Sequence, residues 1–178
     1  MNDLPPVPSD SLPNRAWAAY IRCLAKDNYA RLSGRSSRFE YWSATIIGSV
    51  LCLLPIPFLF ILPNILIIIA LLLWLGLIIY LAMPLLAVFV RRLHDVGWSG
   101  WWIAVYYTLI SVTYAVFVFH VEQAYMFTSD SLDVIIKQAL FDILTILYLP
   151  MELLSIFLFV LTLIPGKQQK NKYGDPVQ

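Results

Sequence analysis

From Asn64 to Val90 the chain runs for 27 residues without a charged side chain, then turns abruptly polar at Arg91-Arg92-Leu93-His94-Asp95-Val96-Gly97-Trp98-Ser99-Gly100-Trp101-Trp102. A helix on the surface of a soluble domain needs a polar face, and about 20 apolar residues already cross a bilayer core. So long an uncharged run is therefore a membrane span, and the junction that ends it is a membrane interface. Composition agrees: 60% of the chain is apolar and 13% charged, with a mean hydropathy of +0.76, against about 45–50% and about 25% in soluble domains.

Four hydrophobic segments are long enough to span, at Ser43 to Leu62, Ile65 to Val90, Trp101 to Phe119 and Ile143 to Ile164. Pro55 and Pro57 interrupt the first, which predicts that its helix stops near Leu54 and that Pro55 to Pro63 forms a turn. Pro84 and Pro150 lie inside the second and fourth segments and are expected to kink them. The predicted fold is all-α: an integral membrane four-helix bundle with an N-terminal amphipathic helix on the cytoplasmic surface. Its expected parts are a disordered Pro- and Ser-rich stretch over 1–14, an interfacial helix over 15–32, the four-span domain over 33–166 and a cytoplasmic tail over 167–178.

Basic residues set the orientation. Arg15, Arg22, Lys26, Arg31, Arg35 and Arg38 precede the first span, Arg91 and Arg92 follow the second, and Lys167, Lys170 and Lys172 follow the fourth; only Lys137 falls opposite, beside Glu122, Asp130, Asp133 and Asp142. The positive-inside rule makes the basic side, with both termini, cytoplasmic. The N-terminus lacks the basic start and apolar stretch of a cleavable signal, so the first span is expected to act as its own insertion signal. Ser129 to Ala139 reads as a short amphipathic helix leading into the last span.

Over 15–32, helical period places Trp17, Tyr20, Ile21, Leu24 and Asn28 on one face and Arg15, Arg22 and Lys26 opposite. Such a segment either lies in the headgroup layer, with its cations toward anionic lipid, or packs on the membrane domain.

Three polar motifs flank the spans: Gly34-Arg35-Ser36-Ser37-Arg38-Phe39-Glu40-Tyr41-Trp42, the Arg91 to Trp102 junction, and Pro165-Gly166 with Asn171-Lys172-Tyr173-Gly174-Asp175-Pro176. In order and wording they resemble the YhaH/YhaI-type family of small bacterial inner-membrane proteins, a family of unknown function (domain of unknown function 805). The resemblance covers about Tyr29 to Pro176; the C-terminal motif is shorter than the usual form. It implies an integral inner-membrane location and supplies no reaction.

All three motifs fall on the predicted cytoplasmic face, so they can converge. Arg35, Arg38, Arg91 and Arg92 supply cations, Glu40, Asp95 and His94 are their candidate partners, and Asn171 and Tyr173 are neutral hydrogen-bonding groups. Such a cluster can hold lipid phosphates through bidentate arginines or lock loops through ion pairs. Ser37 to Glu40 has capping-box spacing, Trp42, Trp98, Trp101 and Trp102 suit an interfacial aromatic belt, and Gly97 and Gly100 suit a tight turn. Glu152 lies in the middle of the last hydrophobic segment, where a carboxyl costs roughly 2.5–3.5 kcal/mol; it is expected to face the protein interior, as a buried hydrogen bond or a proton relay.

Three functions compete. The leading one is a non-enzymatic membrane protein whose cytoplasmic arginine cluster binds anionic phospholipid headgroups or a partner protein, with a homo-oligomer as another arrangement. The others are a small transporter or channel-like component using Glu152, and an enzyme acting on lipid phosphates through His94 and Asp95. Cys23 and Cys52 suggest no disulfide framework and no metal spacing. No phosphate-binding loop, dinucleotide fingerprint or catalytic triad appears. No cofactor and no nucleic-acid partner is expected.

Overall fold

The computed structural model describes residues 11–59, 61–126 and 130–177, and the side chains of all of these except 64, 65, 120–145 and 147. In chain order the helices are α1 (Leu12–Leu24), α2 (Arg38–Leu53), the single turn α3 (Ile56–Leu59), α4 (Asn64–Val96), α5 (Trp101–Met126) and α6 (Asp130–Leu163). The fold is all-helical, and three stretches are long and apolar enough to cross a membrane: Arg38–Leu59, Leu66–Val96 and Trp101–Phe119. The fourth expected span falls within α6, of which Tyr148–Leu163 is a shorter apolar stretch among the described residues. The separate amphipathic helix expected before it is not separate: its backbone from Asp130 onward is the start of α6, and Ser129 lies outside the described residues.

Two compact units emerge, one comprising the residues up to Ser99 together with Ile164 onward, the other Gly100–Leu163. The residues from Ile164 onward fold onto the first half of the chain. In the second unit α5 and α6 pack together, with Trp102 edge-on to Phe157 at 6.2 Å. The hydroxyls of Thr108 and Ser111 donate to carbonyls one turn back in α5, which satisfies them without a neighbouring helix.

The core of the first unit is built by α1, α2 and α4 around Tyr20, Cys23, Ala44, Leu81 and Val88. Gly48 lets α2 and α4 approach so closely that a Cβ there would meet the Leu85 side chain at 3.1 Å. Helix α2 stops at Leu53 with Pro55 next, as the prolines predict, and the carbonyl of Cys52 near its end accepts a hydrogen bond from Trp74 Nε1 at 2.8 Å. A neighbouring helix thus supplies a donor that lipid cannot. Helices α4 and α6 run on through Pro84 and Pro150.

The N-terminal helix differs from expectation in length and face. It ends at Leu24, and Ala25 to Ala30 continues as turns rather than as helix to Leu32. Ala19, Tyr20 and Cys23 are buried, whereas Trp17 and Ile21 stay 51% and 47% exposed. Small residues at 16 and 19 and the Cys23 thiol allow close packing that Trp17 would block, so the buried stripe keeps Tyr20 of the expected face but turns from Trp17 and Ile21 toward Ala19 and Cys23.

Candidate functional site

The clustered polar residues of the first unit divide into two buried groups, and one carboxylate organises the larger. Helix α4 ends at Gly97, whose φ of +93° lies in the left-handed region; the Gly97 amide bonds the His94 carbonyl at 3.0 Å and the Trp98 amide bonds the Leu93 carbonyl at 2.9 Å. This pair of bonds is a Schellman closure, for which glycine is the usual residue. It leaves Asp95 in the last turn with its carboxylate directed into protein, 4% exposed.

Arg35 donates Nε to Asp95 Oδ1 at 2.8 Å, and Arg92 pairs with Oδ2. Neither guanidinium is spent on Asp95 alone. Arg35 also reaches the carbonyls of Lys167, Gln169 (3.0 Å) and Gly174 (3.4 Å), and Arg92 reaches the carbonyl of Ile164. The Lys167 amide completes the join by donating to the Asp95 carbonyl at 3.1 Å. Gly166 lies so close that a Cβ there would stand 1.9 Å from Asp95 Oδ2. Arg35 and Arg92 are 8% and 0% exposed, and buried ion pairs hold only when their remaining donors are satisfied, which the tail carbonyls provide.

His94 and Asp95 do not form a dyad. The His94 Nδ1 faces the Gly34 carbonyl at 3.2 Å, and its ring stacks on Tyr173 at 3.7 Å with 4° between planes. Asn171 Nδ2 donates to the His94 carbonyl at 2.9 Å, and the Asn171 side chain accepts the Tyr173 amide at 2.8 Å. The arrangement binds a tail to a helix end.

The second group is Arg91, Glu40 and Cys23. Arg91 Nη1 lies 3.1 Å from Glu40 Oε1, and the Cys23 thiol donates to the same oxygen at 3.7 Å. Ser37 Oγ accepts the Glu40 amide at 3.2 Å and caps α2, while the Glu40 carboxylate is drawn to Arg91. Burial, reinforced by the Glu40 charge, pushes the Cys23 thiol up to about 12.

Of the other residues singled out in the sequence, Arg38 is exposed at the edge of the cluster. Trp42 is half-buried with its ring against Tyr41; Trp98, Trp101 and Trp102 are 37%, 78% and 39% exposed. Glu152 is half-buried within hydrogen-bonding reach of the Tyr148 hydroxyl, one turn earlier in its own helix. Among the described residues no group of three or more His, Cys, Asp or Glu is placed to hold a metal ion.

Sequence reasoning missed Cys23, Gly34 and Gly166 as parts of this site. Apart from Asn171 and Tyr173, the tail contributes mostly backbone carbonyls, which leave no side-chain signal; Gly166 and Gly34 each stood inside a flagged motif without being assigned a part.

The family model for "Protein of unknown function (DUF805)" matches residues 29–175, from the turn after α1 through the docked tail. The chain belongs to this family. All the residues of the Asp95 group lie inside the match, whereas α1, with Cys23, precedes it. No curated protein and no solved structure matches the chain. The family carries no assigned reaction, and membership adds none here.

Proposed function

We propose that this is a non-enzymatic, multi-pass protein of the bacterial inner membrane, with both termini cytoplasmic, that docks anionic phospholipid through α1 and the exposed cations around it. The observation that carries this reading is the three-sided character of α1. One side, Ala19, Tyr20 and Cys23, is buried against the protein; a second, Trp17 and Ile21, is apolar and exposed; a third, Arg15 and Arg22, is basic and exposed. A helix held sideways against a bundle at the bilayer surface needs these three environments, with its apolar edge among acyl chains and its cations at headgroup level. Lys26, Arg31, Arg38, Lys167, Lys170 and Lys172 are exposed as well and extend the basic surface.

This relocates the lipid contact from the cluster first suspected. Arg35 and Arg92 are occupied by Asp95 and by tail carbonyls, so they serve as a clasp rather than as headgroup ligands. The reading as an enzyme acting on lipid phosphates is less favoured because Asp95 serves the arginines and not His94, and the relay reading because Glu152 has a hydroxyl partner in its own helix.

The test is native mass spectrometry of protein released from mild detergent after incubation with phosphatidylglycerol. Arg15→Gln, Arg22→Gln and Lys26→Gln together are expected to lower the retained phosphatidylglycerol severalfold while phosphatidylcholine retention and thermal stability stay as in wild type. An unchanged phosphatidylglycerol load contradicts the proposal.

A further inference from the structure

Three buried guanidiniums, Arg35, Arg91 and Arg92, share two carboxylates, Asp95 and Glu40. The shortfall has an address. Arg91 is 5% exposed, and its Nη1 is taken by Glu40, but its Nε and Nη2 have no hydrogen-bond partner among the described residues. These two nitrogens form one edge of the planar guanidinium, the edge whose parallel N–H groups donate to two oxygens of a single carboxylate or phosphate. Ser36 Oγ, 0% exposed, is the other buried side-chain atom without a partner among the described residues. The two residues meet at their backbones, where the Ser36 amide donates to the Arg91 carbonyl at 3.1 Å. Ser36 also stands just before Ser37, the N-cap of α2, where the positive end of a 16-residue helix favours negative charge.

Buried donors left unmade are expensive, more so on a charged group, and native proteins keep few of them. We infer that the open edge of Arg91, with the Ser36 hydroxyl, is a binding site for one phosphate-type oxyanion, either a lipid headgroup or inorganic phosphate. Glu40 is bonded to Nη1 and leaves Nε and Nη2 for the ligand. Its side chain keeps 23% exposure, so the pair lies close beneath the surface. The site is distinct from the exposed cations of α1, and its failure leaves the α1 reading intact.

The experiment uses the full chain in an uncharged detergent, titrated in separate arms with inorganic phosphate and with phosphatidylglycerol, phosphatidylcholine serving as the zwitterionic control. Saturable binding of one equivalent in either anionic arm is expected. Arg91→Lys keeps the charge and the Glu40 pair but removes the two-pronged edge, and is expected to weaken binding at least tenfold. Ser36→Ala, which removes only a hydroxyl, is expected to weaken it less, with the melting temperature of both variants retained. Phosphate binding without phosphatidylglycerol binding identifies a free oxyanion as the ligand; the reverse identifies a headgroup. Binding in neither arm overturns the inference, as does binding that Arg91→Lys and Ser36→Ala leave unchanged.

Discussion

Asp95 shows how much one carboxylate can organise. It receives two guanidiniums, its own carbonyl receives the Lys167 amide, and Gly166 is pressed against its oxygens. Asp95→Asn is expected to destabilise the protein by about 3–5 kcal/mol, because it leaves two buried cations without their counter-charge. Gly166→Ala removes no polar group, yet it is expected to cost about 1–3 kcal/mol, since the added methyl must displace a carboxylate held at both oxygens. Thermal unfolding in detergent checks both. Cys23 gives a prediction of another kind. Its thiol is 1% exposed and pushed up to about 12 from the usual 9.0, so a maleimide is expected to label it only after denaturation at pH 7–8. Because folding raises this pKa, the thiol's contribution to stability is intact below about pH 9 and declines as pH rises from there toward 12. Rapid labelling of folded protein at neutral pH would show that α1 lifts away from α2.

At the scale of elements, the sequence was most legible where a single physical rule decided the outcome. The uncharged run became α4, α2 ended at Leu53 ahead of Pro55, and Ser37 capped α2 while the Glu40 carboxylate turned to Arg91. Where packing had to choose between neighbouring faces, periodicity alone fell short. In α1 both the Trp17–Ile21 edge and the Ala19–Cys23 edge are apolar, and close approach to α2 selected the edge with the smaller side chains. The meeting of Arg35 with Arg92 and Asp95 was foreshadowed by the expectation that the polar motifs share one face. The tail's part in it was foreseen for Asn171 and Tyr173 but not for its backbone, because carbonyls of Ile164, Lys167, Gln169 and Gly174 carry no residue-type signature. The tail's order consequently depends on one side chain. Arg35→Gln loses the contacts to Lys167, Gln169 and Gly174 together, and brief trypsin treatment is expected to cut at Lys167, Lys170 and Lys172 several times faster than in wild type. Equal cleavage rates would mean that the Tyr173 stack and the Asn171 bonds hold the tail without Arg35.

For the whole molecule, the proposal that this basic surface meets the cytoplasmic interface draws on two independent arguments, one from charge and the other from the exposed apolar edge of α1. Native cysteines cannot report this orientation, since Cys23 is buried and Cys52 lies within a membrane stretch. An introduced reporter at an exposed position can. The most direct measurement takes the chain with both native cysteines replaced by Ala, spin-labels it at Trp17→Cys or Arg22→Cys, and reconstitutes it in phosphatidylglycerol-containing nanodiscs. Collision of each label with oxygen, which concentrates in acyl chains, is compared with collision with a water-soluble nickel chelate. An α1 lying in the bilayer surface predicts that position 17 meets mainly oxygen and position 22 mainly nickel. Equal, water-like accessibility at both positions would place α1 in solution and contradict the account.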